Sequence, residues 1–167
     1  MYLSNMRKKQ IILNKESINN KIQRIAFAII EDFYQEKNIS IIGFKKNGYT
    51  IAKKISNIIE QETTINVTMH TIDTNKASTY EITPRLQKEE KNIFLVDDVL
   101  KSGKTIIYGI KEILTYNIDT LKTIILINRN HNKFPIGVDY VGLNLSTTMQ
   151  EHIKVIMNQE QETAYLV

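Results

Sequence analysis

The sequence has no cysteine among its 167 residues. That excludes disulfides, cysteine-ligated zinc, iron–sulfur clusters and thiol nucleophiles, and it suits a reducing compartment. Prolines number two, Pro84 and Pro135. No Pro/Gly-rich stretch marks a linker, and no segment repeats. Long apolar runs are also missing. Stretches such as Thr123–Ile127 fall far short of the ~20 residues of a spanning helix. The first nine residues carry charge without the apolar block of a signal peptide, so a cytoplasmic protein is expected. Neither sign of charge dominates: Lys plus Arg is 22, Asp plus Glu is 18, and the net charge is +4. A sequence pI near 9.1 permits an anionic partner without naming one. What remains is ordinary, with 42% hydrophobic and 24% charged residues, which argues against disorder. One domain over 1–167 is expected, burying about 70% of the surface of its unfolded chain.

Apolar periodicity divides the chain. Asn14 reads as an N-cap, and Ile18, Ile22, Ile25, Ala26, Ile29 and Phe33 recur at helical spacing, which predicts a helix to about Lys37. Ile39–Phe44 reads as a buried strand, broken by Lys45-Lys46-Asn47-Gly48. Thr50–Glu62 is helical through Ile51, Ile55, Ile58 and Ile59. Ile65–His70 reads as a second strand, and Thr74–Gln87 as a polar loop or small flap. Asn92–Val96 is a third strand, followed by a loop and a helix over about Thr105–Tyr116. Leu121–Ile127 is a fourth strand, and short strand signals follow at Tyr140–Asn144, Ile153–Ile156 and Ala164–Val167. Strands alternating with helices predict an α/β fold with a mostly parallel sheet. Ligands of such sheets bind beyond the carboxyl ends of the strands. Three turns therefore matter, after Phe44, after Val96 and after Ile127.

The turn after Val96 is the most informative. It reads Asp97-Asp98-Val99-Leu100-Lys101-Ser102-Gly103-Lys104-Thr105. Backbone N–H groups at the start of a helix make an anion site, and the hydroxyls of Ser102 and Thr105 add donors. Gly103 lacks the Cβ that would obstruct a phosphate. Asp97 and Asp98 stand where they can hold sugar hydroxyls or a hydrated Mg²⁺. A nucleoside-triphosphate loop competes for Ser102–Thr105, but its first required glycine would fall at Asp98, a carboxylate facing the triphosphate. Either aspartate alone would read as a helix-capping acidic turn. The whole constellation is rarely accidental.

This constellation resembles the phosphoribosyl-diphosphate (PRPP) signature of type I phosphoribosyltransferases. Four further segments occur in the right order: Ile12-Leu13-Asn14, Gly43–Gly48, Asn128-Arg129-Asn130-His131 and Asp139–Asn144. Together they are similar to the branch of that family whose members regulate pyrimidine operons and double as uracil phosphoribosyltransferases. The resemblance runs from about Ile11 to the end. It implies a type I phosphoribosyltransferase fold, a mostly parallel sheet flanked by helices with a short hood over about 71–91. It implies a PRPP-dependent pentosyltransferase that uses Mg²⁺, with PRPP and a nucleobase or nucleotide as ligands and a homodimer as the assembly. Lys101, Ser102, Gly103, Lys104 and Thr105 would hold the 5′-phosphate. Asp97 and Asp98 would be catalytic, holding the ribose hydroxyls directly or through PRPP-bound magnesium. Lys45, Lys46, Asn47 and Gly48 would bind diphosphate through backbone amides, and Arg129, Val141 and Gly142 would line the base. Taken singly, these last residues read as a solvated turn, a surface arginine and strand core.

The sequence departs from the family at two places. The family's Tyr-Arg-Asp-Asp-like run is here Met69-His70-Thr71-Ile72-Asp73, without the arginine. Asn47 replaces an arginine in the diphosphate turn. Both losses remove charge at the leaving group. His70 is a candidate diphosphate contact with a structural role as its alternative, and Lys76 and Arg85 are candidates to restore the charge. Transfer to uracil is the first functional expectation. The second is a regulator with little catalysis that binds RNA through basic residues such as Arg7, Lys8, Lys9, Lys53 and Lys54.

Overall fold

The computed structural model describes residues 9–74, 79–146 and 151–167. The elements in chain order are β1 (Gln10–Leu13), α1 (Lys15–Phe33), β2 (Asn38–Phe44), α2 (Asn47–Glu62), β3 (Asn66–Thr74), β4 (Tyr80–Thr83), β5 (Asn92–Leu100), α3 (Lys104–Ile113), β6 (Thr120–Asn128), β7 (Tyr140–Asn144), β8 (Ile153–Met157) and β9 (Glu162–Leu166).

Six strands form the main sheet in the order β4-β3-β2-β5-β6-β7. All its pairings are parallel except that of β4, which runs antiparallel on the edge beside β3. The chain steps outward from β2 to β3 and later returns to the other side of β2 as β5. That reversal opens a crevice beyond the carboxyl ends of β2 and β5. A second sheet, β1-β9-β8, is antiparallel and joins the two ends of the chain. Its strands β8 and β9 correspond to the strand signals expected at Ile153–Ile156 and Ala164–Val167, whereas residues 10–13 were expected without a strand. Of residues 71–91, expected as the hood, those described hold the end of β3, β4 and the return to β5.

Strand alternation divides the core between the two faces. Ile41, Phe94, Val96, Ile124 and Leu126 meet Ile18, Ile22 and Ile29 of α1 and Ile51, Ile55 and Ile59 of α2. Ile42, Phe44, Ile93, Leu95 and Ile125 face the other way, toward Ile106 and Ile113 of α3 and Ile82 of β4. Each fully buried isoleucine contributes about 1.5–3 kcal/mol of transfer free energy. The Asn14 side chain accepts the Ser17 N–H at 2.8 Å and starts α1 as expected. The helix stops at Phe33, whose ring packs edge-on to Phe94 at 4.9 Å. Beyond it, residues 34–37 are exposed and bury no face that would prolong the helix.

Two boundaries move toward the site. α2 starts at Asn47, three residues before the expected Thr50. Glycines let its first turn lie on the sheet backbone. A Cβ on Gly48 would stand 2.7 Å from the Val96 carbonyl oxygen, and one on Gly43 would stand 2.4 Å from Tyr49 Cα. β5 runs on through Asp97 and Asp98 to Leu100, because Val99 and Leu100 are buried and pair with Ile127 and Asn128 of β6.

His70 is a buried structural residue. Its Nδ1 lies 2.7 Å from the Pro84 carbonyl oxygen and its Nε2 lies 2.5 Å from Glu90 Oε1. Glu90 also accepts the Ser40 hydroxyl at 2.6 Å and the Gln87 N–H at 2.6 Å. This network ties the return from β4 to β2 and β3. Burial alone would raise the Glu90 carboxyl, but the hydrogen bonds from Gln87, Ser40 and His70 outweigh it and hold it below its usual value. A depressed carboxyl contributes stability that is present above its unfolded value of 4.5 and is lost as pH falls. Glu90→Gln is expected to cost about 1–3 kcal/mol at pH 7. It should also flatten the wild-type loss of stability in acid, read as thermal midpoints between pH 3 and pH 7.

Candidate active site

β5 carries the two carboxylates to the crevice. The Asp97 carboxylate accepts the Asp98 N–H at 2.9 Å, and the Asp98 carboxylate accepts the Val99 N–H at 2.7 Å. Burial, with the neighbouring Asp98 charge second, pushes the Asp97 carboxyl up to about 8. Asp97 therefore keeps its proton at neutral pH until a cation or a hydroxyl donor offsets the desolvation. A cavity of about 210 Å³ opens beside the pair, lined by Asp97, Asp98, Lys101, Ser102, Gly103 and Thr105.

Between β5 and α3 lie only Lys101, Ser102 and Gly103. That is too short for the wrap of a nucleoside-triphosphate loop starting at Asp98, which is itself inside a strand. Gly103 caps α3 in the left-handed region at φ 84°. A Cβ there would also stand 2.8 Å from Ile136 Cγ2. The loop is held from outside, because the Ser102 carbonyl accepts N–H groups from Lys133 at 2.9 Å and Phe134 at 3.1 Å. The first helical bond of α3 comes from Ile107 to Gly103. The amides of the first turn therefore lack helical partners beside the cavity, and that of Lys104 is donated to the Ser102 hydroxyl at 3.3 Å.

The turn after β2 supplies the opposite wall. Lys46 adopts φ 71° and ψ −107°, a sparsely populated conformation that costs about 1–3 kcal/mol for a residue with a Cβ. Thr50 donates the first α2 bond, to Lys46, which leaves the amides of Asn47, Gly48 and Tyr49 without partners in the helix. The Lys45 ammonium pairs with Asp73 at 3.2 Å on the surface. Asn47 Nδ2 donates to Asp98 Oδ2 at 2.7 Å and to the Val155 carbonyl of β8 at 2.9 Å. One side-chain amide thus joins α2, β5 and the small sheet. A second cavity of about 380 Å³ lies between the end of β5 and β8, lined in part by Asp98, Lys101, His152 and Lys154.

The expected base residues separate. Arg129 is buried at the end of β6, and its guanidinium donates to the Glu151 carbonyl at 2.7 Å, next to the second cavity's His152. Val141 and Gly142 sit inside β7, and their carbonyls accept Arg24 of α1 at 2.7 and 2.8 Å. They line neither cavity beside the acidic pair. Arg85 follows β4 on the segment that runs back from the crevice, next to Pro84, whose carbonyl lies against His70 of β3. β4 runs antiparallel from Tyr80 opposite Thr74 to Thr83 opposite Thr71, so the chain leaves the crevice before it reaches Arg85. Lys54 is engaged with Asn19 and Glu162. Arg7, Lys8 and Lys76 lie outside the described residues. Tyr80 escaped the sequence reading, although the alternation Tyr80-Glu81-Ile82-Thr83 was a legible strand signal. Among the described residues no cluster of three or more His, Asp or Glu could cage a metal, and no helix is long and apolar enough to cross a membrane.

Residues 9–160 match the model of the phosphoribosyl transferase domain. The chain belongs to this family. It is 31% identical over 165 residues to the bifunctional protein PyrR of Clostridium kluyveri, covering 92% of this chain and 93% of that protein. It is 32% identical over 161 residues to the bifunctional protein PyrR of Leuconostoc mesenteroides, covering 89% and 91%. Among solved structures, the hypoxanthine phosphoribosyltransferase of Trypanosoma cruzi superposes with a TM-score of 0.79 at 18% identity, over 94% of this chain and 95% of that one. A hypoxanthine-guanine phosphoribosyltransferase of Bacillus anthracis gives 0.74 at 20%, over 95% and 97%. The phosphoribosyltransferase fold expected from the sequence is thereby established.

In this phosphoribosyltransferase the raised Asp97 carboxyl has a measurable consequence. The folded state holds a proton that the unfolded chain releases near pH 3.8, so stability falls as pH rises from there to about 8. Asp97→Asn keeps the shape of the protonated acid. It is expected to match the wild-type thermal midpoint near pH 4 and to exceed it by several degrees at pH 8.5.

Proposed function

We propose that this phosphoribosyltransferase binds PRPP across the crevice between β2 and β5 and transfers its phosphoribosyl group to a nucleobase, uracil first, releasing diphosphate. The observation that carries the reading is the juxtaposition of a helix-start anion site with two adjacent carboxylates, linked to the second turn by Asn47. A ligand with a phosphate at one end, vicinal hydroxyls in the middle and a diphosphate at the other fits that order. The 5′-phosphate takes the Lys101–Thr105 loop, Asp97 and Asp98 take the ribose hydroxyls, and the turn of Lys45, Lys46, Asn47 and Gly48 takes the diphosphate. The base enters the larger cavity between β5 and β8, with Arg129 behind its wall. Val141 and Gly142 shape that end through β7.

The chemistry needs little covalent help. The bond from C1 of the ribose to the diphosphate oxygen breaks as a bond from C1 to the base nitrogen forms, through an oxocarbenium-like transition state. Positioning and stabilisation of the departing polyanion supply the catalysis. Two adjacent carboxylates fit a Mg²⁺ ion that arrives with PRPP, keeps several waters and neutralises the diphosphate. The chain's own contribution is to fix both phosphate ends at helix starts and to hold the sugar between them. A homodimer is part of the proposal, as the commonest closed assembly.

A second reading draws on the name of the relatives, bifunctional protein PyrR. It makes the chain a PRPP- or nucleotide-sensing regulator that binds RNA. Lys9 and Lys53 are its exposed basic candidates among the described residues.

Incubation with PRPP, Mg²⁺ and each nucleobase in turn is expected to release diphosphate, most rapidly with uracil. A lack of diphosphate release with every base tried would overturn the transferase reading. RNA binding that weakens steeply with salt would support the regulator. Asp98→Asn and Thr105→Ala are expected to weaken PRPP binding by at least about tenfold while keeping the native thermal midpoint. Unchanged affinity in both would remove the site assignment.

A further inference from the structure

β8 is an outer strand of the small sheet, with β9 on one side and, among the described residues, no strand on the other. Its ladder with β9 alternates. His152 and Val167 exchange both backbone hydrogen bonds, each at 2.8 Å. In an antiparallel pair every second residue takes part in such an exchange, and the residues between turn their N–H and C=O groups outward. Ile153, opposite Leu166, and Val155, opposite Ala164, are residues of the second kind. The Val155 carbonyl shows the direction, because it accepts Asn47 Nδ2 at 2.9 Å. The outer edge of β8 therefore faces the end of β5 across the cavity of about 380 Å³, which Ile153 and Val155 both line.

Along this edge stand the Ile153 N–H, the Ile153 carbonyl and the Val155 N–H: a donor, an acceptor and a donor. The side chains of Ile153 and Val155 are buried in the core, which fixes the strand beneath its edge. Both ends are fastened as well. Arg129 holds the Glu151 carbonyl at 2.7 Å, and Asn47 holds the Val155 carbonyl. The edge is thus ordered before any ligand arrives. An imide presents a carbonyl, an N–H and a carbonyl in one plane. That run complements the edge, much as an added strand would. Uracil and xanthine carry an imide edge. Hypoxanthine and guanine carry only the lactam pair, one carbonyl beside one N–H. In the same register cytosine and adenine set an amino group and an unprotonated nitrogen there, so donor meets donor and acceptor meets acceptor.

We propose that the free edge of β8 reads the acceptor base and selects one with an imide edge. The Ile153 N–H and carbonyl pair with a ring carbonyl and its adjacent ring N–H, and the Val155 N–H takes the second carbonyl. The inference rests on the transferase reading and deepens it by naming the class of base. It assigns base recognition to the backbone of β8, whereas Val141 and Gly142 lie on β7.

The test is calorimetric titration of the wild type with the 5′-monophosphates of uridine, 3-methyluridine and cytidine. These share phosphate and ribose and differ at the base edge. Uridine monophosphate is expected to bind best. The other two should bind at least about tenfold more weakly, because polar groups of the edge lose their partners. A second measurement removes the donor itself. Ile153 is replaced by its α-hydroxy acid, which turns its N–H into an ester oxygen and keeps the buried side chain. The ratio of uridine to cytidine monophosphate affinity is then read, and it should fall about fivefold to tenfold. A ratio is insensitive to a general loss of stability. Equal wild-type affinity for all three nucleotides, or an unchanged ratio in the ester protein, would overturn the proposal and leave the transferase reading standing. A folded wild type that binds none of them would overturn that reading, and this inference with it.

Discussion

The site depends on how the start of α2 is fastened. Gly48 lies so close to the Val96 carbonyl that no side chain fits between them. This contact brings Asn47 within reach of Asp98, and the two protons of one amide then hold a carboxylate of β5 and a carbonyl of β8. Three parts of the molecule are located by that residue: the helix that starts one anion site, the strand that bears the acids, and the small sheet that covers them. If α2 began at Thr50, as its apolar spacing alone suggests, the amide would lie outside the helix and the small sheet would lose its tie to the crevice.

Around this fastening the electrostatics alternate over a short distance. Two helix starts present amides without helical partners, and between them lie two carboxylates, one of which is held protonated near neutral pH because burial and its neighbour oppose its charge. Positive helix ends flanking a suppressed negative charge suit a ligand that is anionic at both ends and hydroxylated in the middle. The strained Lys46 backbone has a place in the same account. It turns the chain sharply enough for α2 to begin against the sheet, and the close packing of Gly43 and Gly48 holds that turn in place.

The parallel sheet was legible in the sequence because fully buried strands are unbroken apolar runs, such as Ile39–Phe44 and Leu121–Ile127. The short loop between β5 and α3 was legible because Gly103 and its hydroxyl neighbours form a local pattern. Boundaries set by tertiary contact were not. The extension of β5 through Asp97 and Asp98 depends on pairing with β6, and two acids at a strand end read locally as a turn. β1 was missed because four residues gain their partner only from β9, more than 150 positions away. Arg24 is an exposed helical arginine in the sequence, and only the fold shows it holding the Val141 and Gly142 carbonyls at the edge of the main sheet.

The missing arginines take on a more definite meaning. The protons of the Asn47 amide are both engaged within the protein, so its side chain organises the acidic pair and gives nothing to a diphosphate. Lys45 is drawn toward Asp73, and such an exposed pair contributes about 0–1 kcal/mol, so the ammonium is easily recruited by a stronger anion. Arg85 follows β4, which runs antiparallel to β3 and so leads away from the carboxyl ends of the strands. On the proposed reading, and among the described residues, stabilisation of the leaving group would fall to the backbone amides at the start of α2, to Lys45 and Lys46, and to the cation that accompanies the substrate. Backbone amides fix geometry well but carry only partial charge. On the proposed reading, a site built this way would hold PRPP through position and would depend on the accompanying cation for the departure of diphosphate, so the loss of the two arginines would bear on turnover rather than on binding.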